Sequence, residues 1–142
     1  MRILALDPGL QTGWCAISVG NGTLEGGSFP LWERLTAKNQ AQYEDIAGAD
    51  VVVVERFLLY PWVAKRLKWD KLRVVEVIGV INYLAEELDV PVVMQNASEA
   101  KSIKLARKPE GFDEHACDAL RHALAFLKKE GLLKEPFADL IA

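Results

Sequence analysis

Two short apolar runs in this chain each stop at an acid: Ile3-Leu4-Ala5-Leu6 ends at Asp7, and Val51-Val52-Val53-Val54 ends at Glu55. Aliphatic, β-branched runs of this length, bounded by turn formers, predict buried strands, and their unbroken apolar character predicts a parallel setting covered on both faces. Asp7-Pro8-Gly9 is a turn signal, and the apolar run at 14–19 behind Gly13 predicts a hairpin partner for the first strand. Asn21-Gly22 carries the signature of a type I′ turn, so residues 23–29 are expected to return as a third strand, with Gly26 and Gly27 weakening it or marking a bulge.

Beyond the meander the period changes. Residues 31–46 predict a helix, polar over much of its surface, ahead of the central strand Val51–Glu55. Pro61 fits the first turn of a helix running toward Asp70, with a loop as the alternative. Leu72, Val75, Ile78, Ile81, Leu84, Ala85 and Leu88 keep one face apolar and predict a helix over 72–88. Residues 90–95 predict a fifth strand and 96–112 a basic irregular stretch. Residues 113–129 predict a last helix with Asp113 as its N-cap. The order β-β-β-α-β-α-β-α implies an α/β fold. Three antiparallel strands and then two parallel crossovers form a five-stranded mixed sheet with helices on both faces.

Composition narrows the class. At 142 residues the chain suits one domain spanning 1–142, and 51 % hydrophobic with 26 % charged residues excludes general disorder. No apolar stretch approaches the roughly 18 to 20 residues of a bilayer span, and Met1-Arg2 leads straight into a strand; the expectation is a cytoplasmic protein without membrane association. Cys15 and Cys117 lack metal-ligand spacing and are expected to be reduced, buried thiols. The net charge is −3, but the basic residues are unevenly placed. Arg56, Lys65, Arg66, Lys68, Lys71 and Arg73 form one cluster, and Lys101, Lys104, Arg107 and Lys108 another, which fits a polar molecule with one basic face, with solvated helix faces as the alternative for each cluster.

Three acids carry the candidate chemistry. Asp7 and Glu55 close strands, and in open α/β sheets chemistry gathers beyond the carboxyl ends of strands. Asp118 lies near the start of the last helix, three residues after His115, so the two share one side of that helix. His122, one turn further, is expected to play a structural or supporting role. Each acid alone has an ordinary explanation as a turn residue, strand end or helix-dipole partner; their joint placement argues for a site. Carboxylates with little thiolate suit Mg²⁺, with Mn²⁺ as a substitute, and two such ions per site support phosphodiester cleavage.

Ile3-Leu4-Ala5-Leu6-Asp7-Pro8-Gly9 with Thr12-Gly13-Trp14, then Val53-Val54-Glu55-Arg56-Phe57, then His115-Ala116-Cys117-Asp118-Ala119-Leu120, resemble the RuvC-type Holliday junction resolvases of the ribonuclease H-like superfamily, in their compact phage-type branch. The likeness spans residues 3–127 and includes Gly79 within the helix after the glutamate strand. It implies Asp7, Glu55, His115 and Asp118 as the catalytic and metal-binding four, with some relatives carrying Asp at the place of His115. It also implies a homodimer acting on four-way junctions, with flaps and forks as further substrates, and Phe57 as the aromatic that meets bases at the branch. Together with the two basic clusters, this gives an expected DNA-binding set of Arg56, Phe57, Lys65, Arg66, Lys68, Lys101, Lys104, Arg107 and Lys108.

Three other readings compete. A YqgF-type RNA-processing nuclease of the same fold places its glutamate in an Asp-Glu-Arg motif late in the chain, whereas here Glu55 ends the fourth strand. The actin-like ATPases share Asp-x-Gly-x-x-x-Gly with Asp7 to Gly13, but their two-domain cleft needs far more chain. A catalytically dead nucleic-acid adaptor is disfavoured by the intact acids.

Overall fold

The computed structural model describes residues 1–30, 40–58 and 69–142, the side chains of 40–43 and 69–71 excepted. In chain order the strands are β1 (Arg2–Asp7), β2 (Gln11–Ser18), β3 (Thr23–Pro30), β4 (Val51–Glu55) and β5 (Val92–Gln95). The helices are α1 (Gln40–Ala47), α2 (Trp69–Glu87), α3 (Ala97–Lys101) and α4 (Glu114–Lys129), followed by a 3₁₀ turn at Ala138–Leu140. One sheet in the order β3-β2-β1-β4-β5 holds them together, antiparallel among β1 to β3 and parallel from β1 to β4 to β5.

The alternation of side chains across the sheet divides the core in two. Ile3, Ala5, Val51 and Val53 face α4, meeting Ala116, Leu120, Ala123, Leu124 and Leu127. Leu4, Leu6, Val52 and Val54 face the opposite layer, where Ile46 of α1 and Val77, Ile81 and Ala85 of α2 cover them. Each of the valines, leucines and isoleucines among them contributes about 1.5 to 3 kcal/mol on burial, which is why register is firmly set on both faces.

Several local expectations change. The β2–β3 connection is a four-residue loop: Ser18 pairs with Thr23, the Gly22 amide donates to Ser18 O at 2.9 Å, and Gly22 is left-handed at φ 68°. Asn21 is not among the positive-φ residues, so the turn is not type I′, which needs that conformation at both central positions. Gly26 and Gly27 mark no bulge, since β2 and β3 pair continuously. They make room instead: a Cβ at Gly26 would lie 2.4 Å from the Phe112 ring, and one at Gly27 3.0 Å from the Trp14 indole.

Helix α2 begins at Trp69, ahead of the expected 72, and β5 is shorter than expected, starting at Val92. The basic stretch 96–112 contains the short α3, and Leu105 bridges to Ile141 of the C-terminal segment. Asp113 caps α4 as expected, accepting from the Ala116 amide at 2.8 Å. The expected helix over residues 31–46 is described only from Gln40, and the one starting at Pro61 lies outside the described residues up to Trp69. No described helix is long and apolar enough to cross a membrane.

Candidate active site

Parity and register build the site. In β1 and β4 the residues that face α4 are Ile3, Ala5, Val51 and Val53, so the next in each series, Asp7 and Glu55, point toward the same helix. Leu6 pairs with Val54 and Glu55 with Gln95, so Asp7, Glu55 and Gln95 lie level at the carboxyl ends of three neighbouring strands.

Gly13 brings the helix to them. It pairs with Asp7 across the hairpin, and a Cβ there would lie 1.9 Å from the His115 carbonyl oxygen, so only glycine lets the first turn of α4 rest on β2. The loop between Asp7 and Gly13 is braced by Thr12, buried, whose hydroxyl donates to Gly9 O at 3.1 Å. One turn further along α4, Asp118 then reaches the strand ends.

A cleft of about 620 Å³ is lined by Asp7, Glu55 and Asp118 together with Ala97, Ala100, Lys101, Ile103, Lys104, Leu105 and Arg121. A second, of about 510 Å³, shares Glu55, Ala97 and Lys101 and runs past Pro8, Arg56, Phe57, Leu58, Val74, Asn96 and Ser98. Lys101 and Lys104 are exposed at the rim, while Arg121 Nη1 donates to Asp118 Oδ1 at 2.6 Å.

The acids perturb one another. Burial, the Glu55 charge, a hydrogen bond with Glu55 and the Asp118 charge push the Asp7 carboxyl up to about 8. Glu55 is held below the usual carboxylate range, chiefly by its hydrogen bond from His122, against the opposing effect of burial. The shared proton of the Asp7–Glu55 pair therefore resides on Asp7. Carboxylates crowded so closely carry their full charge only beside a cation, and ligand atoms of Asp7, Glu55 and His122 lie within 4.8 Å of one another. Asp7 and Glu55 thus offer the hard oxygen donors that divalent ions take, and Asp118 lines the same cleft without belonging to that close group.

His122 is wholly buried, with Nε2 2.7 Å from Glu55 Oε2 and Nδ1 2.7 Å from Gln95 Oε1. His115 is exposed on the first turn of α4 and lines neither cleft. Of the basic residues, Arg56 and Arg107 are exposed, Lys108 pairs with Glu114 at 3.3 Å, and Lys65, Arg66 and Lys68 lie outside the described residues. Sequence reasoning passed over Gln95 and gave Arg121 no role in the site. Gln95 had a visible signal, since it closes Val92-Val93-Met94 as Asp7 and Glu55 close their own runs.

Acids at the carboxyl ends of β1 and β4, a third acid on the helix beneath and this strand order together define a ribonuclease H-like fold. It is the fold of the RuvC-type Holliday junction resolvases. The structure of Thermus thermophilus RuvC in complex with Holliday junction substrate superposes with a TM-score of 0.64 at 21 % identity, covering 94 % of this chain and 98 % of that one. The yeast mitochondrial Holliday junction resolvase Ydc2 gives 0.61 at 12 % identity over 96 % of this chain and 81 % of its own. No protein-family model and no curated protein sequence matches the chain.

Proposed function

We propose that this protein is a Mg²⁺-dependent, structure-specific endodeoxyribonuclease that resolves Holliday junctions and acts on other branched DNA such as flaps and forks. The observation that carries this reading is the meeting of Asp7, Glu55 and Asp118 in one cleft rimmed by Lys101 and Lys104. The likeness to two junction resolvases across nearly the whole chain supports it.

Asp7, Glu55 and Asp118 would hold two Mg²⁺ or Mn²⁺ ions, which supply an activated water and charge neutralisation at the scissile phosphate. Lys101 stands beside Glu55, on the seam of the two clefts, where an ammonium meets a backbone phosphate. Arg121 offsets the charge of Asp118 until a cation takes that role. Phe57, half-buried beside Glu55, offers an aromatic wall to a base opened at the branch. His115, exposed on the first turn of α4 three residues before Asp118, is read as a fourth ligand or a proton shuttle. A homodimer belongs to the reading, since a four-way junction presents two symmetry-related strands for cleavage.

A mobile synthetic four-way junction, incubated with the protein in Mg²⁺ or in chelator, tests this. Paired, symmetric nicks that require Mg²⁺ are expected. Binding without cleavage even in Mg²⁺ would favour the inactive adaptor, and cleavage confined to an RNA substrate run alongside would favour the RNA-processing alternative.

A further inference from the structure

Among the described residues only Thr12, Gln95 and His122 are buried polar or charged side chains, and two of these three form one chain of hydrogen bonds. That chain runs from Gln95 on β5 through both ring nitrogens of His122 on α4 to Oε2 of Glu55 on β4. Burying an amide and an imidazole in an otherwise aliphatic layer is unfavourable unless both are satisfied, and here both are. An ionised carboxylate can only accept, so Nε2 donates to Glu55. The amide of Gln95 can offer either its oxygen or its NH₂ to Nδ1 and so suits the form of the ring that this requires.

We propose that His122, backed by Gln95, is a positioning residue that fixes one oxygen of Glu55 and leaves the other for a divalent ion, restricting Glu55 to single-oxygen ligation. This rests on the reading of the cleft as a metal-dependent nuclease site. Mg²⁺ and Mn²⁺ take six ligands in compact geometry, whereas Ca²⁺ favours six to eight oxygens with two-oxygen carboxylates. Holding Glu55 Oε2 therefore selects for the smaller ions as well as orienting the ligand. Direct ligation by His122 is disfavoured because each nitrogen already has a partner at 2.7 Å and the ring has no exposed surface.

The amides of Asn and Gln separate the two roles, because a glutamine amide nitrogen reaches the place of Nε2 and an asparagine amide only that of Nδ1. MnCl₂ and CaCl₂ are titrated calorimetrically into the metal-free full chain, without DNA. His122→Asn is expected to lower Mn²⁺ affinity about 10- to 100-fold, the usual range for partners of metal ligands, while Ca²⁺ affinity holds or rises. His122→Gln should stay within a few-fold of wild type, an order of magnitude inside that loss. Gln95→Met, which keeps volume and leaves the Nε2 donor unsupported, should give an intermediate Mn²⁺ loss and guards against a failure of either His122 variant to fold. Equal losses in His122→Asn and His122→Gln, a parallel fall for Mn²⁺ and Ca²⁺, or unchanged Mn²⁺ binding in Gln95→Met would overturn the proposal. If wild type meanwhile binds Mn²⁺ and nicks junctions, the nuclease reading stands; a wild type that binds no Mn²⁺ and cleaves nothing takes both down.

Discussion

Asp7→Asn should stabilise the metal-free protein, and the gain should depend on pH. In the folded chain the Asp7 carboxyl is raised from 3.8 to about 8, first by burial and then by Glu55 and Asp118. A raised carboxylate contributes stability that is fully present below the unfolded value and lost as pH rises through the folded one, so the wild type is expected to weaken between about pH 4 and 8 relative to the variant. At about 1.4 kcal/mol per unit, the full shift corresponds to about 5 to 6 kcal/mol above pH 8. Because the cleft is open to water and the pair shares its proton, a gain of about 2 to 3 kcal/mol is the expectation. The asparagine amide can also donate to Glu55 where the proton did. For a chain of this size that gain is about 6 to 10 °C in Tm. Thermal melts of both proteins in EDTA from pH 5 to 9 measure it: the curves should converge at the acid end and separate as pH rises. Adding Mg²⁺ at pH 8 should close the gap by stabilising only the wild type. A Tm difference that is flat with pH, or an asparagine variant less stable at pH 8, would refute the reasoning.

Glu55→Gln and Asp118→Asn should each abolish junction cleavage while gel-shift affinity for the junction stays level or tightens; near-wild-type nicking by either removes that residue from the site. If His115 ligates a metal, His115→Asp keeps substantial activity and the pH profile stays put; a proton shuttle loses activity with an altered profile, and a fully active His115→Ala dismisses both roles. Gly13→Ala should cost about 3 kcal/mol or more in chemical denaturation, because its Cβ would stand 1.9 Å from the His115 carbonyl and neither backbone can yield cheaply. Lys101→Glu with Lys104→Glu should weaken binding to any DNA sequence and flatten the plot of log affinity against log salt by about two, one per lost phosphate contact; an unchanged slope means that these lysines do not meet DNA.

What was legible in the sequence was what depends on near neighbours. Val51 to Val54 can be satisfied only in a strand covered on both faces, and an acid that closes such a run must emerge at the strand's carboxyl end. The five strands, their mixed directions, the capped last helix and the places of Asp7, Glu55 and Asp118 follow from such local rules. Tertiary structure decided what depends on distant partners. Nothing near Gly26 announces that Phe112 occupies the space a Cβ would need. Nothing in residues 21–22 shows that the hairpin closes through four residues with only Gly22 left-handed. Sequence spacing drew His115 and Asp118 together on one side of the helix, yet His122, four residues past Asp118, is the histidine that meets Glu55, 67 residues away in the chain. The basic stretch 96–112 reads as a uniform cluster, but folding separates Lys101 and Lys104 at the cleft from Lys108, held by Glu114. Chain proximity sets the periodicity that selects each element. Which side chains share a charge, a proton or a ring contact is set by three-dimensional distance, which sequence separation does not encode.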